Sequence, residues 1–202
     1  MYASLALLAP LLATLVAAAP AAPATAAASA PATPSCVADW TIYQNKDLKD
    51  LGDLKSHPAY KKKFNSACEC GNAVNAVTSP EAAFFVWNTS TKECFPKGMT
   101  PFDQENEQIL SLGWQTSANS IPAQRGLLGT DAQLAKVCKP KFRVPGDWSN
   151  TFTACSEICK NNYGIEGCDF AITVAGHAGQ TWCDLCSYGT NQGQVLGART
   201  KW

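Results

Sequence analysis

Two close-set cysteine pairs and two histidines are the side chains whose type and spacing bear on chemistry. Cys68 and Cys70 form C-x-C, and Cys183 and Cys186 form C-x2-C. Together they offer four thiolates, and C-x2-C is a spacing that zinc sites use. The same C-x2-C is also the spacing of a dithiol redox pair. Such a pair opens a helix, where the dipole lowers a thiol pKa, whereas Gln180 to Tyr188 around these cysteines reads as a strand. His57 precedes a proline, and His177 stands in the turn sequence Gly176-His177-Ala178-Gly179. A pair such as Glu81 with His177 is what a small secreted glycosidase or ribonuclease would use for proton transfer. Ser120 and Ser187 have no G-x-S-x-G setting, so a Ser-His-Asp hydrolase finds no support. No His lies near the N-terminus to bind copper together with a terminal amine. These groups do not assemble into a motif, and no catalytic residue, metal ligand or cofactor is assigned.

The chain has ten cysteines, and their compartment decides what they do. Residues 5–19 form an apolar run closed by small residues, which reads as a signal peptide over 1–19. The apolar run is shorter than the roughly 20 residues of a membrane span, and none is expected later in the chain. Secretion is the expected localisation, and an oxidising destination makes disulfides the default state of the cysteines. Residues 20–35 are almost only Ala, Pro, Thr and Ser, with nothing large to bury, and read as a linker or O-glycosylated stalk. With 16 basic and 16 acidic residues, the charge balance argues against nucleic acid or anionic membrane as the main partner. Lys61, Lys62 and Lys63 form one basic run, read as a solvated helix face.

The elements that must position these residues follow from periodicity. Leu48, Leu51 and Leu54 at three-residue spacing predict a short amphipathic helix over 45–55. Pro58 starts a second, with Tyr60, Phe64 and either Ala67 or Cys68 as its buried stripe and Gly71 at its end. Ala82 to Trp87 reads as a strand, 88–92 as a turn, and 93–97 as a strand carrying Cys94. A short helix is expected at 102–112, and Thr130 with Gln133 marks a capping box before Cys138. In the second half, Ser149 caps a helix in which Phe152, Cys155, Cys159 and Tyr163 share a face, ended by Gly164. Cys168 to Ala175 and Gln180 to Tyr188 then read as a β-hairpin. The order helix with Cys, aromatic strand, turn, strand with Cys therefore occurs twice. Phe152, Phe170 and Ile172 are expected between the second helix and its hairpin.

In the second copy, CSEIC, CDFAI and TWCDLC resemble the PAN/apple-like modules: a C-x3-C helix, a strand opening C-x-F, and a T-x-C-x-L hairpin strand. In the first copy, FNSACEC, AAFFVWN and TKECFPK look like a degenerate version. The resemblance implies an α+β fold of small disulfide-rich modules, each a helix packed on an antiparallel hairpin or sheet. It divides the chain into a first module at 36–99, a connecting segment at 100–137 and a second module at 138–202. Six cysteines alone allow 15 pairings. The resemblance implies Cys155–Cys183 and Cys159–Cys168, with Cys138–Cys186 closing the ends. In the first copy Cys68–Cys94 matches the helix-to-hairpin bridge. Cys68 and Cys70 lie about 200° apart on a helix, so both cannot face the hairpin, and Cys70 is left for Cys36.

What the resemblance implies is a secreted binding protein whose modules recognise extracellular carbohydrate or protein, with a polysaccharide or glycoprotein as the expected partner. Six tryptophans suit that reading, since aromatic rings stack on sugars and anchor interfaces. Trp40, Trp87 and Trp148 read as core, whereas Trp114 and Trp202 have polar surroundings and are the candidate ligand-binding residues. Asn88-Thr89-Ser90 is an N-glycosylation sequon in a turn. A small secreted hydrolase is the second reading, and a structural cell-wall or surface protein the third.

Overall fold

The run AAFFVW has no polar residue because it is buried on both faces. The computed structural model of the protein describes residues 39–101, 108–112, 124–143, 148–162, 168–175 and 181–200. Their elements are β1 (Trp40–Asp47), α1 (Ala67–Asn75), β2 (Phe84–Asn88), β3 (Cys94–Lys97), β4 (Gln108–Leu112) and β5 (Gln124–Gly126). They continue with α2 (Asp131–Leu134), β6 (Cys138–Arg143), α3 (Trp148–Asn162), β7 (Phe170–Ala175), β8 (Thr181–Cys186) and β9 (Gly189–Arg199). The strands form two antiparallel sheets, ordered β1-β9-β2-β3 and β5-β4-β7-β8-β6. The fold is α+β, and its strands carry both helix-plus-hairpin units expected from sequence: α1 with β2 and β3, and α3 with β7 and β8.

Alternation along each strand sets the layers, because successive side chains leave opposite faces of a sheet. From β2, Phe85 and Trp87 join Trp40, Cys70, Val74 and Val195 in the core beneath α1. Phe84 and Val86 leave the other face and meet Phe170, Ile172, Tyr188 and Leu196 between the two sheets. From β7, Ala171 turns toward α3 and joins Cys155, Cys159, Cys183 and Leu185. The order is thus α1, four-stranded sheet, five-stranded sheet, α3. Phe170 and Ile172 face the opposite sheet, not helix α3, which corrects the expected enclosure. The side chain of Phe152 lies outside the described residues.

The tandem division into modules at 36–99 and 138–202 is also corrected. Strand β9, from the second half, lies between β1 and β2 of the first, with Leu196 opposite both Tyr43 and Val86. All described residues fall in one compact unit, Pro34–Trp202. The central position of β9 explains its burial: Val195, Leu196 and Ala198 are all enclosed.

Several local expectations fail for identifiable reasons. The 45–55 stripe is no helix: β1 runs to Asp47, and Asp50 (φ 62°) and Gly52 (φ 63°) hold left-handed backbone. Leu48, Leu51 and Leu54 are buried nonetheless, carried inward by successive turns. Helix α1 starts late, at Ala67, with Ser66 Oγ accepting from Glu69 N–H. Lys61 (φ 57°) interrupts the stretch that Pro58 was expected to open. Gly71 lies inside α1, where a Cβ would come within 2.7 Å of the Phe85 ring, so close packing outweighs its helix-ending tendency. Residues 108–112 form strand β4, and 102–107 lie outside the described residues. Helix α3 already includes Trp148, so Ser149 is inside it; Tyr163 and Gly164 lie outside the described residues. The capping box of Thr130 and Gln133 is present at α2.

Candidate functional site

The disulfides close the thiolate chemistry. Cys183 is bonded to Cys155 and Cys186 to Cys138, so C-x2-C is neither a dithiol pair nor a zinc half-site. Cys159 is bonded to Cys168, and these three bridges coincide with those the resemblance implies. The first half differs. Cys70, not Cys68, is bonded to Cys94, which corrects both Cys68–Cys94 and Cys36–Cys70. The reason is the helix start: with α1 beginning at Ala67, the fully buried Cys70 shares the inward face with Val74 and points at β3. Cys68 is also disulfide-bonded, and Cys36 lies outside the described residues. Among the described residues no group of His, Cys, Asp and Glu is arranged to hold a metal.

The expected acid–base pair does not form a described site. Glu81 Oε1 accepts from Arg199 Nη1 at 2.7 Å, and His177 lies outside the described residues. Burial works against the charge on Arg199, while Glu81 and Asp39 favour it, and its guanidinium lies 5.2 Å over the Trp40 ring. His57 is buried, its Nδ1 accepting from Ala59 N–H at 3.0 Å. Burial lowers its pKa below 6.5, with the Val74 backbone opposing and Arg199 adding to the fall. Asp169 is shifted upward by burial, against Tyr188 N–H and Lys46, and Tyr188 rises well above 10 for the same primary reason.

The candidate ligand residues Trp114 and Trp202 lie outside the described residues, as do Ser120 and the side chain of Trp148. Trp40 and Trp87 are buried, as expected for core. Asn88 is half-buried at the end of β2, with Oδ1 accepting from Ser90 and Thr91 N–H, each at 2.9 Å.

A different surface gathers exposed cations and aromatic rings. Residues 61–64 lie along the outer edge of β3, where Lys61 N–H donates to Cys94 C=O and Cys94 N–H to Lys62 C=O. Phe64 N–H donates to Lys92 C=O, and Lys63 bridges to Glu93. Lys55, Lys61, Lys62, Lys63 and Lys92 are all exposed. Lys61 Nζ lies 5.8 Å over the Tyr60 ring and Lys92 Nζ 4.9 Å over the Trp87 ring. Tyr60 and Phe95, both half-buried, meet edge to face at 5.8 Å. Trp87 Nε1 donates to the carbonyls of Phe64 and Lys92, fixing the ring beneath the cation. The basic run is therefore an edge segment, not a helix face. The KKK triplet was visible in sequence; its neighbour Lys92 was not, because the pairing of 61–64 with β3 joins them.

Compared with family models, curated proteins and solved structures, the chain matches none.

Proposed function

We propose that this chain is an extracellular binding protein that recognises carbohydrate or glycoprotein. The observation that carries the reading is the face built from Tyr60, Phe95, Lys61, Lys62, Lys63 and Lys92 on a disulfide-tethered edge. Half-buried aromatic rings beside free ammonium groups supply stacking area and charged donors together, the two contacts on which sugar and interface recognition draw. Because backbone hydrogen bonds and the Cys70–Cys94 bridge hold that edge, little ordering remains for a ligand to impose. The bridges suit an oxidising compartment, and no described helix is long and apolar enough to cross a membrane. The helix–hairpin–disulfide order keeps the resemblance to PAN/apple-like modules as part of this reading, with the sheets merged into one unit.

A glycan and glycoprotein array probed with the chain from Cys36 onward tests it. Saturable binding to one ligand class is the expected result. Uniform absence of binding would sink the proposal.

A further inference from the structure

Lys61 (φ 57°) and Lys92 (φ 65°) are two of the four described non-glycine residues in the left-handed region. Asn45 and Asp50 are the other two, and short polar residues occupy that region more readily than lysine does. Asn or Gly would suit the backbone better at 61 and 92, yet the chain has lysine at both. Each of these lysines is also laid over an aromatic ring, Tyr60 or Trp87. Strained backbone that persists at one surface motivates a search for function there.

Lys61, Lys62, Lys63 and Lys92 form no ion pair among the described residues. Of the nearby acids, Asp53 pairs with Lys97 and accepts from the Tyr60 hydroxyl, and Glu69 accepts from Asn65 N–H. Glu93 is half-buried and opposes Lys63. A chain whose total charge is balanced, 16 against 16, thus concentrates unpaired ammonium groups on one rigid edge.

We infer that this lysine face docks an acidic polysaccharide, one bearing carboxylate or sulfate along its length. The inference rests on the binding function proposed above and names its ligand class. Lysines act as point charges, without the planar fork with which arginine reads a single carboxylate or phosphate. A row of them suits a repeating anionic polymer better than one discrete group. The chain's three arginines, Arg125, Arg143 and Arg199, are elsewhere in sequence and fold. Strongly anionic membrane is a property of the cytoplasmic leaflet, which a disulfide-bridged chain does not face. The half-buried rings of Tyr60 and Phe95 border the cations and offer the flat area on which a pyranose lies.

The test uses immobilised polygalacturonate and heparin, with neutral dextran and duplex DNA as comparisons, at a fixed ionic strength near 0.15 M. Wild type should be retained on one or both acidic polysaccharides and pass through dextran. The double variant Lys61→Asn, Lys92→Asn should melt at the same or a higher temperature, since Asn tolerates the left-handed backbone, while its Kd rises about tenfold or more. Lys62→Gln with Lys63→Gln, at ordinary backbone, should weaken binding similarly. Lys49→Gln with Lys136→Gln removes equal charge elsewhere and should change little. Equal loss in all three variants would reduce the effect to net charge and overturn the inference, as would tighter binding to DNA than to either polysaccharide. Binding to neutral glycans alone overturns it while leaving the broader binding function standing. Failure on every glycan and glycoprotein overturns both.

Discussion

Phe84 and Phe170 meet edge to face with ring centroids 5.7 Å apart, although β2 carries one and β7, in the other sheet, carries the other. Tyr188 completes the group, stacked on Phe170 at 5.5 Å and edge-on to Phe84 at 6.0 Å. This aromatic cluster, with Leu196 and Ile172, is the shared core that makes two half-chains one folding unit. Phe170→Ala should therefore cost about 3 to 5 kcal/mol, the range for deleting a buried aromatic ring. The melt should stay a single transition, because the lost contacts belong to both sheets. Calorimetry checks it, and separate transitions for the two sheets would contradict a common core.

Strand β9 supplies the second prediction. It pairs with β1 on one side and β2 on the other, so it is the centre of the four-stranded sheet. Deleting residues 189–202 should unfold the first half although that half's own sequence is untouched. Near-ultraviolet circular dichroism of the truncated chain should lose its tertiary signal. A native spectrum retained by the truncated chain would show that the first half folds as a module of its own.

How much of this was legible in sequence follows from the range of each interaction. Hairpins β2–β3 and β7–β8, helix α3 and the Thr130 capping box rest on contacts within a few residues, and local periodicity revealed them. The insertion of β9 between β1 and β2 is a long-range pairing with no local mark. The leucine stripe at 48, 51 and 54 has helical spacing because three turns happen to present each leucine inward. Nothing in that spacing distinguishes a helix from turns whose carbonyls are taken by a distant lysine. The lysine face was half legible: KKK is contiguous, but its rigidity comes from β3 across the edge.

The third prediction concerns Cys70–Cys94, which ties α1 to β3 as Cys155–Cys183 ties α3 to β8. Non-reducing peptide mapping should recover a Cys70–Cys94 peptide pair and no Cys68–Cys94 pair. Replacing Cys70 and Cys94 together by Ala should cost about 2 to 4 kcal/mol, from the freed loop of the unfolded chain. Recovery of Cys68 linked to Cys94 would require α1 to be rotated from the face described.

Lys97 is buried, and its ammonium donates to Leu48 C=O at 2.7 Å, Leu51 C=O at 3.1 Å and Asp53 Oδ1 at 2.9 Å. All three donors are used, and they hold the turns that follow β1. Lys97→Met keeps the aliphatic stem but leaves two carbonyls and a carboxylate without the cation. Because Asp53 remains partly open to water, the expected cost is about 2 to 3 kcal/mol, below the range for a fully buried pair. Chemical denaturation measures it; a change under about 0.5 kcal/mol would place the variant with ordinary surface substitutions and refute the role.

His57 gives the chain a pH dependence whose sign is fixed by its surroundings. Its Nδ1 accepts from Ala59 N–H, so protonation would turn that nitrogen into a donor facing a donor. Burial, the largest influence, lowers its folded pKa below 6.5. As pH falls below 6.5 the unfolded chain takes up a proton there before the folded chain does. Stability is therefore lost with falling pH across the window between the two values, and retained above it. Asp169 works in the other direction: its folded carboxyl is raised above 3.8, so in its own window the folded chain binds more protons and gains stability as pH falls. The variant His57→Asn separates the two, since Asn Oδ1 still accepts from Ala59 N–H but does not titrate. Unfolding free energies of wild type and H57N should run parallel above pH 6.5. Below it, wild type should lose stability more steeply than the variant, while the Asp169 contribution cancels in the difference. Parallel curves throughout the acid range would mean that His57 titrates no differently folded than unfolded, and its enclosure beside Ala59 and Val74 would be wrong.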